Sequence, residues 1–203
     1  MKKLFILAAA VASLFACTSK QQQFNEEVAA IMERNNNVGL ALVAVNNGQV
    51  VLNERYGVKN LETQEPIAKD DIFRIASISK SFTATAIMQL VEQGKLDLQQ
   101  DVSELVGFQV RNPKFPEKVI TVEMLLSHTS SMNDANGYFT INAINPDSSA
   151  TWQTAWNAYE PGTGYEYCNL GFNTLGTILE RVSGERFDKY IVNHILNPVG
   201  VYG

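Results

Sequence analysis

Ser77 and Lys80 stand three residues apart in the run "RIASISKSFTA" (74–84). On a helix, residues at i and i+3 share a face, so the amine reaches the hydroxyl. A serine hydroxyl is a poor nucleophile until a base removes its proton. A lysine serves when burial and a positive helix end lower its pKa, and the N–H groups at that end suit a developing oxyanion. A second pair, Tyr167 and Asn169, flanks Cys168. A tyrosine beside a cation can relay protons, and an asparagine can hold a substrate amide. Each pattern has a plain alternative: a capping serine with a solvated lysine, or a buried aromatic with a turn asparagine. A two-residue pattern of either kind arises roughly 0.6 times by chance in such a chain, so neither decides alone.

His128, in "LLSHTSS", is the only histidine near a serine cluster. That raises a Ser-His-acid triad, but no GxSxG elbow occurs and the nearby serines lack a strand–turn–helix setting. His128 therefore reads as a structural or site-rim residue. With only His128 and His194, and no CxxC pair, a zinc site is not expected.

The elements that must position these residues follow from pattern. Val28, Ile31 and Met32 give residues 24–34 a helical face, with acids in its first turn. Two β-rich runs, 38–45 and 49–58, flank Asn47-Gly48, a strong hairpin signal because both residues tolerate positive φ. The first run is apolar on both faces, which predicts a central strand covered on two sides. Residues 79–93 form a helix with Phe82, Ala86, Ile87, Leu90 and Val91 as its stripe and Gly94 at its end. Residues 96–106 read as an acidic connector with buried anchors. Thr121 caps a helix over 122–127, and the Asn-, Gly- and Ser-rich 133–150 is a loop. A helix over 171–182 closes at Ser183-Gly184, and a short one follows near 186–196.

Hydrophobic content of 45% and charged content of 18% mark a globular chain. The formal charge is −5, and no basic cluster follows the first three residues, so nucleic acid is not an expected partner. The start differs in kind. "MKKLFILAAAVASLFAC" has a basic start, an apolar run too short to span a bilayer comfortably, and small residues before Cys17. Residues 1–16 read as a signal peptide. Leu14-Phe15-Ala16-Cys17 resembles the lipobox of bacterial lipoproteins, in which the cysteine is lipidated and anchors the chain to the membrane. Residues 17–23 then form a polar tether, residues 24–203 the domain, and the location is the bacterial cell envelope. The alternative is a plain secretory signal in which Cys17 is incidental.

The order of the motifs is more specific than any one of them. "DDIFRIASISKSFTATAIMQLVEQGKLDLQQDVSEL", then "ITVEMLLSHTSSM", then "YEPGTGYEYCNLGFNTLGTILERVSGERFDKYI" resembles the serine β-lactamase and penicillin-binding-protein superfamily. The branch is that of class C β-lactamases, D-aminopeptidases, DD-carboxypeptidases and related esterases. The resemblance implies an α/β (α+β) fold, with an antiparallel sheet flanked by helices and a mostly helical subdomain. It implies no cofactor, and a β-lactam, D-amino-acid peptide, ester or peptidoglycan-like substrate. It makes Ser77 the acylated nucleophile, Lys80 its base partner, Tyr167 a proton relay and Asn169 a substrate-positioning amide, with Arg74 and His128 in support. Ser131 stands where the family usually has glycine.

The family's third motif, Lys or His followed by Thr/Ser-Gly on a strand well after YxN, has no counterpart here. The chain is therefore expected to be a C-terminally truncated member lacking the family's later strands, with compromised fold and activity. Beside the serine hydrolase stand two other readings. One is a surface lipoprotein that binds peptidoglycan or a protein partner without turnover. The other is an unrelated α/β domain with two chance motifs.

Overall fold

The computed structural model describes residues 20–202. The proposed signal peptide and the lipidation site Cys17 lie outside the described residues. The chain divides between Arg74 and Ile75 into two compact units, each described in turn.

The first unit holds helix α1, described over 20–34, and strands β1 (Gly39–Asn46), β2 (Gln49–Asn60) and β3 (Glu65–Pro66). The helix starts ahead of the expected Phe24, and residues 20–23, assigned to the tether, are helical. The cause is local: Gln21, Gln22 and Gln23 donate side-chain bonds to Asn25, Glu26 and Glu27, four residues on. Val28 and Met32, also four apart, are the buried positions of α1, and Tyr56 Oη donates to Asn25 Oδ1 at 2.9 Å, tying β2 to α1.

The hairpin forms as expected. Asn46 pairs with Gln49, and both Asn47 (φ 50°) and Gly48 (φ 75°) occupy the left-handed region. The sheet is antiparallel in the order β1-β2-β3, which corrects one expectation: among the described residues β1 is an edge strand and β2 the central one. Apolar residues on both faces of β1 predicted burial, yet Val43 and Val45 are 57% and 62% exposed. β2 is central because the two-residue β3 pairs with its other side, Asn60 with Glu65 and Val58 with Pro66.

The second unit is helical. α2 (Ser79–Glu92), α3 (Val102–Val106), α4 (Val122–Leu126), α5 (Asn169–Ser183) and α6 (Phe187–Ile191) are joined by loops and short 3-10 turns. α5 is the axis of the unit and packs against α2, α3, α4 and α6. Its buried residues Leu170, Thr174, Leu175, Ile178 and Leu179 recur at helical spacing. They meet Ala86, Ile87 and Leu90 of α2, Val102 and Val106 of α3, and Val122 and Leu125 of α4 in one continuous core.

Local chemistry sets the helix ends. Asp101 accepts from Ser103 N–H to start α3, which Gly107 ends at φ 78°. Asp101 also pairs with Arg111. Thr121 accepts from Met124 N–H and caps α4, as its position predicted. Gly184, at φ 74°, closes α5. α5 begins two residues earlier than expected, so Asn169 is its first residue. Among the described residues no helix is long and apolar enough to cross a membrane.

Candidate active site

Ser77 lies in a 3-10 turn, Ala76–Ile78, that runs directly into α2. The turn is entered through Ala76 at φ 45°, a left-handed conformation costly for a residue with a Cβ. Ser77 is exposed and Lys80 half-buried one turn on. Lys80 Nζ donates to Ser77 Oγ at 3.4 Å, so the i, i+3 spacing does bring amine and hydroxyl together. Nζ also donates to Asn169 Oδ1 at 2.7 Å, and it lies 4.8 Å from the centre of the Tyr167 ring. Tyr167 Oη donates to Ser77 Oγ at 2.6 Å. The four residues picked out by spacing thus form one cluster, though 89 positions separate Lys80 from Asn169.

The electrostatics suit proton traffic. Lys80 first, then the Ser77 hydroxyl, holds the Tyr167 phenol below the ordinary tyrosine range. An ionised phenolate and a neutral amine are both acceptors, and both contacts already point at Oγ. The cluster opens on a cleft of about 600 Å³ whose walls include Ser77, Lys80, Phe139, Asn169, Phe172 and Phe187. A substrate carbonyl can therefore reach Oγ from a cleft lined by aromatic rings and polar side chains together.

His128 has a different task. Its Nδ1 accepts the Cys168 N–H at 3.1 Å, and its carbonyl accepts the Glu166 N–H at 3.0 Å. The ring lies between Tyr167 and Phe172, with centroids 4.7 and 5.0 Å away. Burial, then the nearby charge of Lys80, lowers the pKa of His128 and favours the neutral ring. With Nδ1 given to the Cys168 backbone, His128 acts as a clamp on the segment carrying Tyr167 and Asn169. Arg74 is exposed and ends the first unit.

Ser131, the residue in the usual glycine position, has φ 60° and is buried. The backbone there does require the left-handed region. Serine meets it with a compensating bond, Asn112 Nδ2 donating to Ser131 Oγ at 2.9 Å.

One residue escaped the sequence reading. Asp134 accepts four bonds from the start of α5: Cys168 Sγ (3.3 Å), Asn169 N (3.1 Å), Asn169 Nδ2 (2.7 Å) and Leu170 N (3.0 Å). Burial works against its charge, but the N–H groups of Leu170 and Asn169, with the Asn169 amide and the Cys168 thiol, hold it below the usual carboxylate range. Asp134 is carried there by a short antiparallel pairing, in which Asn157 N–H donates to the Ser131 carbonyl and Asn133 N–H to that of Ala155. Its only sequence signal was an acid shortly after "SHTS", inside a run that otherwise read as loop. Cys168 completes the corner. Its thiol is buried, donates to Asp134 and accepts from Gly171 N–H, and burial pushes it up to about 12.

A family model described as Beta-lactamase matches residues 24–203. The chain belongs to the Beta-lactamase family. Among curated relatives, Protein flp of Staphylococcus aureus (strain N315) is 29% identical over 184 residues, covering 88% of this chain and 37% of that protein. Among solved structures, the octameric penicillin-binding protein homologue from Pyrococcus abyssi superposes with a TM-score of 0.74 at 29% identity, over 88% of this chain and 43% of that one. EstCE1, a hydrolase with promiscuous acyltransferase activity, gives a TM-score of 0.69 at 25% identity, over 88% and 52%. This Beta-lactamase-family chain therefore spans about two fifths of the length of the curated relative and about half or less of the solved neighbours. The fold is of the β-lactamase/transpeptidase type, and the superfamily is one of serine hydrolases.

Proposed function

We propose that this chain is a serine hydrolase working through an acyl-enzyme on Ser77. The observation that carries the proposal is the convergence on one exposed oxygen: Tyr167 Oη at 2.6 Å and Lys80 Nζ at 3.4 Å from Ser77 Oγ, with Asn169 gripping the amine at 2.7 Å. Oγ attacks a carbonyl carbon while its proton passes to the deprotonated partner, Tyr167 or Lys80. The same proton then goes to the leaving alcohol or amine as the C–O or C–N bond breaks. Water, deprotonated by the same pair, releases the acyl group and restores Ser77. Asn169 keeps Lys80 in place and offers its amide to the substrate. An ester is one substrate class that fits this chemistry. A β-lactam or a D-amino-acid peptide fits the same chemistry.

A fluorescent fluorophosphonate tests this directly. A label on the wild-type chain that Ser77→Ala abolishes is the expected result. A folded, unlabelled wild type would refute it in favour of a binding protein without turnover. The export reading belongs to the same proposal: the leader sequence supports attachment of the chain to the bacterial envelope through a lipid on Cys17. Incorporation of labelled fatty acid, lost in Cys17→Ser, is the corresponding test.

A further inference from the structure

We propose that Asp134 is a positioning residue that decides which end of the Asn169 amide faces Lys80. An amide side chain has one accepting and one donating end, nearly equal in shape. An ammonium only donates, so Lys80 needs the oxygen of Asn169, and Oδ1 is the atom found 2.7 Å from Nζ. A carboxylate only accepts, so Asp134 takes the Nδ2–H end, also at 2.7 Å. Turning the amide over would set oxygen against the carboxylate and nitrogen against the amine, two repulsive contacts replacing two attractive ones.

The remaining bonds of Asp134 make the arrangement rigid. Its Oδ2 also accepts the Asn169 N–H, and its Oδ1 accepts the Leu170 N–H and the Cys168 thiol. Two oxygens with about four acceptor sites thus meet four donors. No acceptor position is left over for the reaction, so Asp134 acts through Asn169 and does not exchange protons with substrate. An asparagine at 134 would keep the shape but present a donor, making the turned-over Asn169 accessible.

The catalytic consequence rests on the acyl-enzyme reading above; the amide orientation does not. The first measurement therefore needs no turnover. In a ¹H–¹⁵N spectrum of the full chain, with the Asn169 side chain assigned by its loss in Asn169→Ala, the carboxylate-bonded proton is expected downfield of the free-amide position. In Asp134→Asn it moves to that position. A free-amide shift in the wild type overturns the proposal even if the variant fails to fold, and an unmoved resonance in a folded variant overturns it as well.

The second measurement is a double-mutant cycle on Ser77 labelling by a fluorophosphonate. Asp134→Asn lowers the acylation rate constant about 10–100-fold, with the apparent binding constant held within about two-fold. In the Asn169→Ala background the same change has no further effect. Independent, additive losses would make Asp134 merely structural and overturn the proposal. A folded but unlabelled wild type would refute the acyl-enzyme reading and leave the spectrum to decide the orientation.

Discussion

Lys80 Nζ lies 2.7 Å from Asn169 Oδ1 but 3.4 Å from Ser77 Oγ, so the amine is held more tightly by the amide than by the nucleophile it would activate. The lysine is placed by a residue 89 positions away, with Oγ still within hydrogen-bond reach of Nζ.

Substitutions at 80 separate base from charge. Lys80→Met removes both and lowers Ser77 acylation about 10²–10⁴-fold. Lys80→Arg keeps the charge, but its guanidinium stays protonated, so the loss is of the same order. Second-order rate constants for fluorophosphonate labelling, with thermal melts as the folding control, check both. Near-wild-type labelling in Lys80→Arg would remove Lys80 from the base role.

The Tyr167 phenol sits below its ordinary value near 10, chiefly because of Lys80 and next because of Ser77. Its ionised form therefore becomes available at lower pH than in a free tyrosine. Acylation rises with pH along a limb whose midpoint lies below the tyrosine range. Tyr167→Phe abolishes that limb, and Lys80→Met shifts it upward. A pH series of labelling rates for the three proteins makes the comparison; a limb unchanged in Tyr167→Phe would assign it elsewhere.

Asp134 is held below the usual carboxylate range by its four donors. A carboxylate depressed in the folded state adds stability that is present above its unfolded pKa, near 3.9, and is lost as pH falls through the folded value. Asp134→Asn is accordingly less stable than wild type at pH 7, and the difference in Tm shrinks on acidification below about pH 4. Melts of both proteins between pH 7 and pH 3 test the sign; a gap that widens in acid contradicts it.

Ser131 carries both a cost and a bond. Its φ of 60° costs about 1 kcal/mol relative to glycine, while loss of the bond from buried Asn112 costs about 1–2 kcal/mol. Ser131→Ala loses the bond and keeps the strain, so it destabilises by about 1–2 kcal/mol. Ser131→Gly loses the bond and relieves the strain, so it lies within about 1 kcal/mol of wild type. Urea titrations resolve the two, and alanine as stable as glycine would show that the backbone there is unstrained.

What could be read in advance was what depends on near neighbours. The Ser77–Lys80 contact needs one helical turn, the Asn47-Gly48 hairpin needs two residues tolerant of positive φ, and the Thr121 cap needs a donor three positions on. The Tyr167–Asn169 pair was visible by type, and the family resemblance supplied its meeting with Ser77. Asp134 and β1 were missed for different reasons. Asp134 sits in polar loop sequence, and its donors lie 34 to 36 residues downstream. β1 has the composition of a covered strand, but among the described residues it pairs only with β2, whose other side is taken by the two-residue β3.

The buried thiol of Cys168 gives this corner of the molecule a clock. With the thiol pushed up to about 12, essentially no thiolate exists in the closed state at neutral pH, whereas an unfolded cysteine near 8.5 ionises to a few per cent. An alkylating reagent thus modifies Cys168 only when the start of α5 opens. Because Tyr167 and Asn169 flank it, the alkylation rate at that one sulfur, read by mass spectrometry, counts how often the pair leaves its closed arrangement.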